Sequence, residues 1–576
     1  MMSMNKILNT ALSLVALGMT LAAEAQVTKQ VEVTKAYVPE VAEAVKLPLQ
    51  PNMVDTVKMR PEIDYAITPQ MYATDLSTHK FKPATVTYWE FDRAKNFYAK
   101  VGAGYPLNTV ADIYASANKL RVGYIMAYLN HLGEYGKRHN YLDKLTKAMQ
   151  MHNHVGIAGG LYCGKRVFEG DVNYKSDIFH RFAGDGSEID LEDVNMKLRF
   201  GDNFTDLSRI NFDVSLYGNY FNDKAGWLAK EQRRLQEAYF GVKARVAREF
   251  NAHRVEFDAG YDGRWGLKDL GNYADNLAYV GLTYGYKSDF IELMAGFNYC
   301  YDRVKGRNKA SHYLLPKAKV RLNLGRRNIA APFLEVDSSV ENNSYHSLVQ
   351  RNPYIQLVGR QFTMPNTINY DARFGIEGRL AKDKFAYRLY AGMSFIENDI
   401  YWYTYDYMWM RPVDDRRNVL SLNLELEYKP INKLDIKAGI HGFLYTNWAE
   451  VKYGPYQQKE LVNFDNDMPP FDAYLKIRYD FGKVSIGASS DFVGTSVGRC
   501  FVISDETQQA SMENMKRVSD FRMPFYANVC LDVDWQVSKM CTLFLEGRNL
   551  ANMKIYRWAW YRDLGIHFTV GARVNF

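Results

Sequence analysis

Histidine is the first residue whose spacing could carry chemistry in this chain. His152 and His154 stand as H-x-H, with His131 and His139 close by in sequence, and neutral imidazoles so spaced can hold a metal ion. No paired cysteine or carboxylate constellation accompanies them, so a polar loop and strand end is the favoured reading. Five cysteines, at 163, 300, 500, 530 and 541, include no C-x-x-C spacing and so no zinc or redox motif of that kind. Cys530 shares strand parity with Asn528, Asp532 and Asp534, whereas Cys541 shares it with Leu543 and Leu545. The two thiols are therefore expected on opposite faces of a sheet, out of reach of a bridge that needs about 5.5–6 Å between Cα atoms.

Charged groups and aromatics are the other candidates. Glu425, Glu427 and Arg573 recur at alternate positions, which suits a cross-strand network better than acid–base catalysis. No nucleophile, base and carboxylate are legible as a set by spacing, so the expectation is a non-enzyme with no cofactor and no metal. Gly156, Gly159 and Gly160 precede no helix and cradle no phosphate. Tyr401, Trp402, Tyr403 and Trp409, with Trp558 and Trp560 near the C-terminus, form a candidate extracellular contact surface for sugars or aromatic ligands. The favoured alternative is that Tyr401, Tyr403, Tyr405 and Tyr407 continue a strand through an outer aromatic girdle.

The elements that must position these residues are set by periodicity. Met4, Asn5 and Lys6, the apolar run 7–21 and the site Ala23-Glu24-Ala25 follow the order of a cleavable export signal over residues 1–25. Beyond it no window approaches the roughly 18 apolar residues of a spanning helix. The formal net charge of +7 is dispersed along the chain, and an exported chain of that kind is not expected to bind nucleic acid.

From residue 95 to 576 apolar and polar residues alternate. Ile566, Phe568, Val570, Ala572, Val574 and Phe576 share one face, and His567, Thr569, Gly571, Arg573 and Asn575 the other; Leu420, Leu422, Leu424 and Leu426 likewise oppose Ser421, Asn423, Glu425 and Glu427. Lipid outside and a wet lumen inside would produce this pattern. Strand centres can be placed at 22 positions, from about residue 100 to about residue 570. Tight turns such as Gly164-Lys165, Gly201-Asp202-Asn203, Asp383-Lys384 and Gly482-Lys483 alternate with long loops near 131–150, 176–190, 340–365, 396–417, 446–469, 491–521 and 551–563. The fold class is therefore all-β: a transmembrane antiparallel β-barrel of about 22 strands over 95–576, with turns facing the periplasm and long loops outside. Residues 26–94 are interrupted at Pro39, Pro48, Pro51, Pro61, Pro69 and Pro83 and read as an extended periplasmic or luminal arm.

The C-terminal sequence Cys541-Thr-Leu-Phe-Leu-Glu-Gly-Arg-Asn-Leu-Ala-Asn552, then Tyr556, then Gly571-Ala-Arg-Val-Asn-Phe576, resembles the closing hairpin of TonB-dependent receptors. That resemblance implies a 22-strand barrel in the outer membrane, in contact with outer-membrane lipid, and a role in uptake. It also implies a periplasmic energy-transducing partner, for which Val31, Glu32, Val33 and Thr34 are the segment that looks like a TonB box. Residues 26–94 are too few for that family's folded plug, so the expectation is transport or uptake without a complete plug. The alternative is a structural or scaffold subunit of an outer-membrane complex, binding other envelope proteins through its arm and loops.

Overall fold

The structure is a computed structural model that describes residues 96–576, apart from 120–121, 205, 229–230, 306–309, 325–328, 358–361, 363, 406, 446–448, 452–459, 463–467 and 504–514. The signal, the arm and Val31–Thr34 lie outside the described residues.

Twenty-two strands form the wall: β1 (Phe97–Tyr105), β2 (Asn108–Lys119), β3 (Gly123–Glu134), β4 (Gln150–Cys163), β5 (Arg166–His180), β6 (Glu188–Asp202), β7 (Asn211–Leu228), β8 (Glu231–Phe250), β9 (His253–Lys268), β10 (Ala274–Lys287), β11 (Ile291–Val304), β12 (Ser311–Leu322), β13 (Ala331–Glu341), β14 (Thr367–Leu380), β15 (Phe385–Tyr405), β16 (Trp409–Ile431), β17 (Leu434–Tyr445), β18 (Phe471–Asp480), β19 (Val484–Val493), β20 (Tyr526–Gln536), β21 (Cys541–Arg548) and β22 (His567–Asn575). Each pairs antiparallel with its neighbours in sequence, and β22 pairs with β1, Tyr98 opposite Asn575 through Tyr105 opposite Phe568. The sheet is thus closed and its wall has no open edge, which is the condition for a sheet to span lipid. All 22 expected strand centres fall inside these strands.

Alternation sorts the side chains as expected. Leu422, Val570 and Ile157 present about 60% of their surface outward, whereas Asn423, next to Leu422, is buried in the wall. Cys530 and Cys541 stand on opposite faces, opposite Ser489 and Val574 respectively.

The connections depart from expectation in two places. Residues 396–417 are not a long loop: β15 and β16 run for 21 and 23 residues and are joined by 406–408. At about 3.4 Å per residue the longer strand spans roughly 75 Å, far beyond the ~25 Å apolar band of such barrels, so this hairpin stands well clear of the bilayer. Its alternating sequence satisfies the ladder all the way up, with one irregularity between Ile396 and Asp399. The turn placed at Gly201-Asp202-Asn203 is instead the connection 203–210, closed by Asp202 and Asn211. Asp202 accepts the Phe212 backbone N–H, and the Asn211 amide donates to the Asp206 and Arg209 carbonyls.

Candidate lumen and extracellular cap

The inward faces of the strands carry the charged residues, and pairs along and across the strands join many of them. Lys100 bonds Glu546 at 2.9 Å, and Arg573 reaches both Asp534 (2.6 Å) and Glu546 (3.3 Å) across the closing seam. Arg199 meets Glu169 at 2.9 Å, Arg321 meets Glu377 at 2.8 Å, and Arg388 meets Glu335 at 3.2 Å. Glu425 lies 3.8 Å from His441, and Glu427 bonds Lys429 at 2.5 Å. The tyrosines Tyr124 and Tyr128 donate to Glu169 and Asp171. The arrangement is a lumen network of ion pairs and hydrogen bonds between neighbouring strands.

The histidines are divided by the wall. His152 and His154 face the lumen, where Asp112, Asn130, Lys175 and Asp177 share with them a recess of about 290 Å³, and His152 bonds Asp177 at 2.8 Å. His131 has the opposite parity and bonds Thr109 and Asn153 on the other face. His139 sits in a loop hairpin beside Asp143. Among the described residues no group of three or more His, Cys, Asp or Glu could hold a metal ion.

Above the membrane the connections fold into one hydrophobic core. Connection 342–366 contains a short helix, α1 (Tyr345–Arg351), started by Ser344, whose hydroxyl accepts the Ser347 N–H as an N-cap does. Tyr345, Leu348 and Val349 face inward and are fully buried. The Tyr345 hydroxyl donates to Asp223 on β7 at 2.5 Å, His346 contacts Asp193 on β6 at 3.0 Å, and Glu237 on β8 accepts the His346 backbone N–H at 3.2 Å. After the helix, Gln356 and Leu357 pair parallel with Trp227 and Leu228. Tyr354 then stacks on Tyr561 of connection 549–566 with ring centroids 3.7 Å apart. Phe182 packs edge-on against both rings. Arg181 is buried with its guanidinium 4.4 Å from the Trp409 ring and hydrogen-bonded to Ser187; burial lowers its pKa from the usual arginine value. Loops from β5–β6, β13–β14, β15–β16 and β21–β22 thus converge, although the last two connections leave the wall on well-separated strands.

The aromatic residues singled out from sequence belong largely to this cap. Tyr401, Trp402 and Trp409 are buried at 1%, 7% and 7% exposure, Tyr403 is half-buried, and Trp402 packs edge-on against Trp558. Tyr401 therefore neither faces lipid in a girdle nor stands in an outward platform: the irregularity at 396–399 breaks the parity that the alternation extrapolates. Trp558 and Trp560 are half-buried beside the same core. Sequence reasoning missed Tyr345, His346, Tyr354, Asp193, Asp223 and Glu237. The one legible signal was Ser344 followed by apolar residues at 345, 348 and 349.

No family model and no curated protein matches the chain. Several solved structures do resemble it. A copper transporter, OprC, is 12% identical with a TM-score of 0.61, covering 84% of this chain and 82% of its own. The FrpB iron transporter from Neisseria meningitidis is 10% identical with a TM-score of 0.62, covering 84% and 83%. The pyoverdine outer membrane receptor FpvA from Pseudomonas aeruginosa is 10% identical with a TM-score of 0.59, covering 84% and 79%. At these identities the likeness is one of architecture, and the described chain has the closed 22-strand barrel fold of TonB-dependent outer-membrane receptors.

Proposed function

We propose that the protein conducts a solute across the outer membrane, with the polar lumen as the path and the cap as its outer gate. The observation that carries this reading is the combination of a closed wall with ion-paired residues on its inner face and loops that converge into a core built around Tyr354 and Tyr561. The fold likeness to proteins described as transporters and receptors supports it. In this reading residues 26–94 act without a complete plug, and Val31–Thr34 is the segment that engages a periplasmic energy-transducing protein. No catalysis is assigned, since Glu425, Glu427 and Arg573 are engaged in cross-strand pairs with His441, Lys437 and Asp534.

The test is conductance in planar bilayers, comparing the full chain with a variant whose cap core is cut by Tyr354→Ala and Tyr561→Ala. Brief or small openings that become large and steady in the variant are the expected outcome. Silence in both would favour the second reading, a structural subunit of an outer-membrane complex, for which the tight packing of α1 into the cap is the supporting observation.

A further inference from the structure

The outer face of the wall carries a groove that conduction through the lumen does not use. Phe385 on β15, Leu426 and Tyr428 on β16, and Ile436 and Ala438 on β17 line about 230 Å³ of space. Register explains its shape. Phe385 lies opposite Tyr428, and Tyr428 opposite Ile436, while Leu426 lies opposite Ala438 and Ala438 opposite Leu475. The single methyl of Ala438 between two leucines leaves the floor low, and the Phe385 and Tyr428 rings, edge to face at 6.2 Å, raise a wall at one end.

That end lies within a few residues of two adjacent periplasmic turns, 381–384 and 432–433. Lys382, Lys384 and Lys433 are exposed there, and none of the three forms an ion pair among the described residues. Lys429 differs: Glu427 and Asp435, on the inner face, neutralise it. Asp383, exposed between Lys382 and Lys384, is the only carboxylate in the two turns. An apolar channel on the lipid side therefore runs into a net cationic patch at the level of the headgroups, beside the aromatic side chains that mark a membrane interface.

A tail of hydrocarbon ending in an anion matches both halves of this surface. We propose that the groove binds an anionic glycerophospholipid of the periplasmic leaflet, one acyl chain lying along Leu426 and Ala438 and the phosphate held by Lys384 and Lys433. Lysines at a membrane surface favour anionic over zwitterionic lipid, and two of them correspond to a preference of roughly tenfold or more. The inference rests on the transmembrane fold and is independent of whether the lumen conducts.

Native mass spectrometry of the detergent-extracted full chain tests it, with phosphatidylglycerol and phosphatidylethanolamine of identical acyl chains added in equal amounts. The wild-type chain is expected to retain phosphatidylglycerol over phosphatidylethanolamine by roughly tenfold. Lys384→Gln with Lys433→Gln should bring the ratio close to one. Ala438→Phe, which fills the groove with an apolar side chain on the lipid face, should lower retention of phosphatidylglycerol with the lysines intact. Heat-modifiable gel migration confirms that each variant is a folded barrel. Equal retention of the two lipids by the wild type, or wild-type retention of phosphatidylglycerol by either folded variant, would overturn the proposal.

Discussion

Replacing Tyr354 with alanine removes the central ring of the cap and, from the wall, only the hydrogen bond that the Gln150 amide donates to the Tyr354 hydroxyl at 3.3 Å. Tyr354 is 4% exposed, stacks on Tyr561 at 3.7 Å and meets Phe182 edge-on at 6.2 Å. Deleting a buried aromatic costs about 3–5 kcal/mol, of which the aromatic contacts themselves account for roughly 0.5–1.5 kcal/mol. Because Tyr354 sits in a connection between β13 and β14, that cost falls on local opening of the cap and not on global unfolding. At about 1.4 kcal/mol per factor of ten, the open population should rise by roughly a hundredfold to a few thousandfold. Hydrogen exchange followed by mass spectrometry on the protein in nanodiscs reads this directly: amides of 342–357 should exchange faster by that factor, while peptides from β14 and β22 keep their rates. Tyr561→Phe, which deletes only the hydroxyl donated to the Met408 carbonyl, should accelerate exchange much less, by the ~1 kcal/mol of one hydrogen bond. Unchanged exchange in 342–357, or equal acceleration in the wall, would show that the loops do not form a separately cooperative cap.

Three further outcomes are expected. Leu422→Arg, placing a charge on the lipid face, should lower stability in vesicles by about 2–4 kcal/mol and by more than Ser421→Ala on the adjacent inner-face position; equal losses would reverse the face assignment. An epitope inserted at Leu142, an exposed residue at the tip of connection 135–149, should be detected on intact cells, and one at Lys483 only after permeabilisation, the opposite pattern inverting the topology. Burial raises Tyr345 and Tyr561 well above the ordinary tyrosine value; as their folded pKa lies above the unfolded one, their contribution to cap stability is complete below the unfolded value of about 10 and is lost progressively as pH rises from there through the folded value, so a cap that opens at pH 9 by hydrogen exchange would contradict the burial.

The wall was legible in the sequence because each strand tests its own alternation independently: a lipid-facing Leu422 beside an inward Asn423 leaves no choice of face. The cap was not legible, for a physical reason. α1 is seven residues long, too short to be helical without tertiary packing, and what stabilises it comes from Asp193, Asp223 and Glu237 on three other strands. Tyr401 and Trp402 were misplaced for a related reason, since a single irregularity between Ile396 and Asp399 is invisible in a sequence that keeps alternating on both sides of it. His131 and His152, close in sequence, are separated by the sheet itself, so spacing along the chain overstated their proximity.

The pairing of β1 with β22 constrains how the molecule can be assembled and varied. Every other rung of the wall joins strands that are neighbours in sequence, so hairpins can be added one after another with short loop closures; this last one joins the two ends of the described chain and must wait for both. A chain lacking β22 would not make a slightly smaller cylinder. β1 and β21 run in the same direction, and the antiparallel ladder could not be completed between them. Closed, wholly antiparallel forms therefore move in steps of two strands, and a wall short of one strand could close only through a parallel β1–β21 pair.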